Sequence, residues 1–133
     1  TMEYAFKLPL QVRDYEVDAE GIVNNAVYLN YMEHTRHEFC RQAGLTFREM
    51  HAQGLDPVAT RIEIDYKRPL GLGDEMLSCL NLERRGPLFI FRQEIYNSST
   101  GELAAKAVVK IACLENGKLS RGDALAKAFE KYL

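Results

Sequence analysis

Residues 14 to 31, DYEVDAEGIVNNAVYLNY, carry the densest chemistry in the chain. Four acids stand on alternate positions (Asp14, Glu16, Asp18 and Glu20) and run into Gly21, an Ile-Val pair and two asparagines. Asn24 or Asn25 suits the N-cap of the helical pattern that follows. A helix start presents unpaired N–H groups and a partial positive charge. Such an end binds an anion, or polarises a carbonyl oxygen that becomes one during a reaction. Asp18 lies a few residues upstream, with Gly21 between to let the loop turn. A carboxylate folded back to the helix end would face a carbonyl held there, ready to activate water or to attack directly. Those are the parts that acyl transfer requires, and hydrolysis of an activated ester fits them best. The same acids also suit a helix cap or a solvated loop, so residue types alone leave both readings open.

Other groups carry weaker signals. Counted as a calcium loop from Asp14, the run puts Ala19 where the glycine belongs and Asn25 where the bidentate acid belongs, so that reading fails. His34 and His37 lie one turn apart beside Glu33 and Glu38, but without a zinc motif or a third ligand. No metal or other cofactor is expected. Cys40, Cys79 and Cys113 are scattered and odd in number, which suits small buried hydrophobes in a reducing cytoplasm rather than disulfides. Lys67, Arg68, Arg84 and Arg85 fall at strand ends and turns and are candidates to meet phosphates.

The elements that must position these groups follow from pattern and punctuation. The chain has 133 residues, 47% of them hydrophobic and 27% charged, with a net charge of −2. That is one soluble domain spanning 1–133, without the basic face that nucleic acid requires and without an 18-residue apolar run. The start, TMEYAFKLPLQVRDY, lacks a signal core, so no targeting segment is expected, and Thr1 ahead of Met2 reads as an added residue. An extended segment comes first. Val27, Tyr28, Tyr31, Met32, Thr35, Phe39 and Ala43 then recur at helical spacing up to Gly44, a good stop. A helix apolar over most of its surface needs cover on more than one side, which a sheet and a neighbouring subunit would supply. TFREMHAQ predicts a short second helix. PVATRIEIDYKRP alternates as a strand, with Ile62, Ile64 and Tyr66 against Arg61, Glu63, Asp65 and Lys67. EMLSCLNLERR, LFIFRQEIYN and LAAKAVVKIACLE follow at hairpin spacing, a predicted antiparallel meander. SRGDALAKAFEKYL predicts a closing amphipathic helix. The sum is α+β: an antiparallel sheet of about five strands, one long helix across it and a C-terminal helix.

VRDYEVDAEGIVNNAVYLNYMEHTRHEF closely resembles the defining segment of the hotdog-fold thioesterases of the 4-hydroxybenzoyl-CoA thioesterase type. Asp18, Gly21, Ile22, Val23, Asn25 and Tyr28 fill the places of that family's pattern, and IDYKRPLGLGDE continues it. The spelling is especially similar to the acyl-lipid thioesterases of plant plastids and their bacterial relatives. The resemblance implies a hotdog fold, with the sheet wrapped around the central helix. It also implies hydrolysis of an acyl-CoA or acyl-carrier-protein thioester to free acid and thiol. Asp18 would be the carboxylate, as general base or nucleophile. The main-chain N–H of Asn25 would be the oxyanion donor, at a position where many relatives carry His. Gly21 allows close approach, and Val23, Asn24, Tyr28, Tyr31 and Met32 join it as expected substrate contacts. A homodimer, often paired into a homotetramer, with sites at subunit boundaries is implied as well. Two rivals share the fold: a non-catalytic acyl-CoA-binding protein, and a hydratase or dehydratase, whose catalytic His neither His34 nor His37 matches in position.

Overall fold

The computed structural model describes residues 3–133, so Thr1 and Met2, and with them the expected added residue, lie outside the described residues. The elements run β1 (Phe6–Gln11), a 3-10 turn (Asp14–Glu16), α1 (Asn25–Gln42), α2 (Phe47–Ala52), β2 (Leu55–Tyr66), β3 (Glu75–Arg85), β4 (Leu88–Asn97), β5 (Leu103–Glu115), β6 (Lys118–Leu119) and α3 (Asp123–Ala128). Every strand pairing is antiparallel, in the order β1-β3-β4-β5-β2 with β6 added to β5. β3, β4 and β5 form the expected meander. Arg85 pairs with Leu88, so Gly86 and Pro87 make a two-residue turn.

Asn24 starts α1: its backbone is extended (φ −62°, ψ 141°) and its side-chain oxygen accepts from the Ala26 N–H at 2.9 Å. Gly44, at φ +93°, follows the last helical residues in the left-handed region that ends helices cheaply. Over its 18 residues, about 27 Å, α1 packs against β3 and β1. Tyr28, Tyr31, Met32, Thr35, Arg36, Phe39 and Cys40 are buried on one side, and Phe39 meets the rings of Phe91 and Phe129. One sheet bent over one long helix is the hotdog architecture.

Four expectations need correction. α1 is not apolar over most of its surface: Asn30, Glu33, His34, His37 and Arg41 are exposed, so within the chain one face is enough. The alternation in β2 does not mark a buried face either. From Val58 to Tyr66 only Ile64 is even half-buried, because β2 is an edge strand away from the β3 and β1 stretch that α1 packs on, although its last residue, Tyr66, still meets the first turn of α1. The closing segment is helical over six residues only, followed by a 3-10 turn (Glu130–Tyr132). Glu16, one of the acids that suit a solvated loop, is only 9% exposed, for reasons given below. Among the described residues no helix is long and apolar enough to cross a membrane.

Candidate active site at the start of the long helix

The loop before α1 is built by main-chain bonds. Val17 bridges Val23, the Asp18 N–H donates to the Ile22 carbonyl (2.9 Å), and the Gly21 N–H donates back to the Asp18 carbonyl (3.0 Å). This small hairpin holds Asp18 about 5 Å across from Ile22, one antiparallel spacing. Gly21 sits at φ +80°, which a β-carbon would resist, and nothing crowds it. The Asn24 N–H donates to the Glu16 carbonyl (3.2 Å) and the Val23 N–H to the Leu70 carbonyl (2.8 Å), so the helix start is tied to both the loop and the segment after β2. The Asp18 carboxylate is exposed and, among the described residues, accepts only from the nearby Glu20 N–H (2.8 Å).

A groove of about 250 Å³ opens beside the helix start, lined by Ile22, Val23, Asn25, Tyr28, Tyr66, Lys67, Arg68, Pro69 and Ala104. Asn25 is the first helical residue. Asn24 takes the Ala26 N–H and the Asn24 carbonyl takes the Val27 N–H, while the Asn25 N–H meets no acceptor among the described residues. A lone N–H at a helix start, beside a groove, is an available donor for a carbonyl oxygen. The Asn25 carbonyl accepts from the Tyr66 hydroxyl at 2.9 Å.

The residues expected at the site divide into two groups. Asn25, Val23 and Tyr28 line the groove, Asn24 caps the helix above it, and Asp18 and Gly21 stand on the adjoining hairpin. Tyr28 is buried, its phenol oxygen accepts from the Leu70 N–H (3.0 Å), and burial pushes its hydroxyl above the ordinary tyrosine range. Tyr31 and Met32 point instead into the core. The Tyr31 hydroxyl donates to Glu16 Oε1 (2.9 Å), and the Met32 carbonyl accepts from Gln93 Nε2 (3.0 Å). Lys67 and Arg68 flank the groove, with Arg68 3.4 Å from Glu102. Arg84 and Arg85 are not brought there: they end β3, opposite the end that adjoins Asp74 and Gly71. Arg84 donates to the Gly86 and Arg121 carbonyls and to Asp123, which tethers α3.

Three groups beyond those expected make long-range bonds to or beneath α1. Glu16 lies under the loop, where its carboxylate accepts from Tyr31 and from the Arg13 N–H (2.8 Å). Arg36 is buried in α1 and donates to Gln93 Oε1 (2.8 Å), a neutral partner for a charge. Tyr66 reaches the helix start from β2. Sequence offers little signal for these, since their partners Tyr31, Gln93 and Asn25 lie from 15 to 57 residues away. His34 and His37 sit on the exposed face of α1, each about 4 Å from a glutamate one turn away.

The profile of the thioesterase-like superfamily matches residues 12–130. The chain is 30% identical over 107 residues to the long-chain acyl-CoA thioesterase FadM of Escherichia coli K12, covering 80% of each protein. It is 39% identical over 71 residues to the chloroplast acyl-acyl carrier protein thioesterase ATL3 of Arabidopsis thaliana. That match covers 53% of this chain and 37% of the plant protein. A crystal structure of a hypothetical protein from Aquifex aeolicus superposes with a TM-score of 0.87 at 31% identity, covering 96% of this chain and 99% of the other.

Proposed function

The chain belongs to the thioesterase-like superfamily, and from that membership we propose that it hydrolyses an acyl thioester, carried on coenzyme A or on an acyl carrier protein, to the free acid and the thiol. The observation that carries the site assignment is the uncommitted N–H of Asn25, a residue that starts an 18-residue helix and lines the groove. A thioester carbonyl laid on that N–H gains a hydrogen bond that strengthens as the oxygen becomes anionic. The Asp18 carboxylate, on the hairpin beside the groove, supplies the second part. Acting as base, it takes a proton from water as the water attacks the carbonyl carbon. Acting as nucleophile, it forms an anhydride that water then opens. In both routes the C–S bond breaks and the sulfur leaves as a thiolate that takes up a proton.

Lys67 and Arg68 stand on the wall of the groove, where they would meet phosphates of the carrier arm. Coenzyme A and acyl carrier proteins present the same phosphopantetheine thioester, and the two named relatives divide between them. Among the described residues the outer edge of β2 is unpaired, with Val58 and Ile62 exposed, which supports assembly with a second copy into a homodimer. The three free, buried cysteines suit a cytoplasmic setting. A dehydratase would require an imidazole at the helix start, whereas His34 is about 14 Å further along the axis of α1.

The deciding experiment measures thiol release from aromatic, short, medium and long acyl thioesters by wild type, Asp18→Ala and Asn25→Pro. Proline is tolerated at a first helical position, and the extended Asn24 backbone suits a residue before proline, so Asn25→Pro deletes the N–H without breaking the helix. Loss of about 100-fold or more in kcat in both variants, with the fold retained, is expected. Wild-type-like turnover in Asp18→Ala would refute the carboxylate assignment, and in Asn25→Pro the oxyanion assignment. Tight acyl-CoA binding without turnover by the wild type would favour a non-catalytic binding protein.

A further inference from the structure

We propose that Tyr66 is a positioning residue, whose hydroxyl pins the first turn of α1 so that the Asn25 N–H stays aimed into the groove. The kinetic consequence rests on the thioesterase reading above; the clamp itself is a property of the fold.

Tyr66 is the last residue of β2, and its ring stands edge-on to the Tyr28 ring, 5.4 Å between centroids at 72°. Phenylalanine would make that ring contact equally well. Tyr66 is 44% exposed, so water could satisfy its hydroxyl and packing gives no reason for tyrosine. The hydroxyl instead crosses to the Asn25 carbonyl, 41 residues away in sequence, at 2.9 Å. The carbonyl it meets belongs to the residue whose N–H is uncommitted.

Helix ends fray, and Asn25 is the helical residue most exposed to fraying. On its N-terminal side the chain is held by the Asn24 N–H on the Glu16 carbonyl and by the Asn24 side chain on the Ala26 N–H. The Asn25 side chain makes no bond among the described residues, so it does not anchor its own backbone. The Tyr66 bond is the anchor from the sheet side. It joins the strand end that leads into Lys67 and Arg68 to the helix that offers the N–H. A donor held from both sides needs no reorganisation when charge develops on the substrate oxygen. The hydroxyl therefore acts on the transition state through Asn25, without touching the substrate, and its removal falls on kcat rather than KM.

The test compares wild type with Tyr66→Phe, which keeps the ring and removes only the hydroxyl. Three readouts are taken: kcat and KM on the thioester that wild type cleaves best, the melting temperature, and hydrogen exchange of the amides from Asn25 to Tyr28. The expected result is a fall in kcat of about three- to tenfold, the range that one neutral hydrogen bond supports, with KM within about twofold. The melting temperature should fall by no more than about 4 °C, and first-turn amides should exchange faster while the middle of α1 stays protected. An unchanged kcat overturns the proposal whatever the exchange shows, and so does a raised KM at unchanged kcat, which would make Tyr66 a substrate contact. If the wild type cleaves no thioester, the functional reading fails by itself. Exchange then decides the clamp alone, and identical first-turn rates in the two proteins refute it.

Discussion

Tyr31→Phe separates a core role from a substrate-facing one at a residue whose sequence position suggests the latter. The ring remains, with its edge contact to Tyr28 at 6.1 Å, and only the hydroxyl goes. That hydroxyl donates to the Glu16 carboxylate at 2.9 Å beneath the Asp18 loop. Burial first, and the Glu16 bond second, hold the Tyr31 hydroxyl well above the ordinary tyrosine range, so it stays a donor at any working pH. In the variant Glu16 keeps the Arg13 N–H at 2.8 Å and the more distant Arg13 guanidinium at 3.9 Å. One buried hydrogen bond to a charged group is lost, about 2 kcal/mol within a range of about 1.5–3. With an unfolding entropy of about 2.1 cal/mol/K per residue, about 280 cal/mol/K for this chain, that corresponds to about 7 °C in melting temperature. Calorimetry or dye-based melting at fixed protein concentration measures it, alongside the acyl-chain profile of thiol release. The expected outcome is a drop of this size with the same preferred chain length. An unchanged melting temperature together with a shifted chain preference would refute the reasoning and put the hydroxyl in contact with substrate.

Gln93→Leu should cost about 2–3 kcal/mol in urea unfolding, because it strips a buried guanidinium of its neutral acceptor. The double variant Arg36→Met/Gln93→Leu should recover most of that, and a single-variant cost under about 1 kcal/mol would contradict the pairing. Burial, opposed by Glu33, holds the His37 imidazole below its usual range, so the unfolded chain takes up its proton first as pH falls. His37 therefore contributes stability that is full above about pH 6.5 and is lost as pH drops through the folded value. His37→Phe, which keeps an aromatic ring against Phe47, should flatten the fall in melting temperature below about pH 6.5, and an identical slope would count against it. Burial pushes the Cys40 thiol up to about 12 and that of Cys79 to about 11, and Cys113 is raised too. A thiol reagent at pH 8 should find none of the three in the native protein and all of them in denaturant; fast native labelling would disprove their burial.

Local signals decided much of this molecule. The N-cap at Asn24, the stop at Gly44 and the two-residue turn at Gly86 and Pro87 follow from bonds and dihedrals within a few residues, and the strands of the meander from their local alternation, which is the range over which sequence patterns speak. The Asp18 hairpin and the Asn25 helix start belong to the same class, since they lie seven residues apart and are joined by short-range main-chain bonds. The alternation in β2 was legible too, but its meaning was not. Period two says that a segment is a strand, and only sheet order says whether a neighbour covers its face.

The rest depended on groups that meet across the fold. Glu16 and Asp18 are the same kind of residue two positions apart, yet one is buried under Tyr31 and the other stays in solvent beside the groove. Tyr31 and Tyr28 share a helix three residues apart, and a rotation of about 300° along it sends one to Glu16 and the other to Leu70 at the groove. Arg84 and Lys67 look alike as strand-end cations, but antiparallel pairing carries them to different ends of the sheet. Sequence by itself determined the helix, the strands and the hairpin that places Asp18 just ahead of the helix start, because those are set by neighbours along the chain. Tertiary structure alone decided which tyrosines and which cations line the groove, which acid is buried, and that the Tyr66 hydroxyl meets the Asn25 carbonyl, because burial and long-range hydrogen bonds have no counterpart in local spacing.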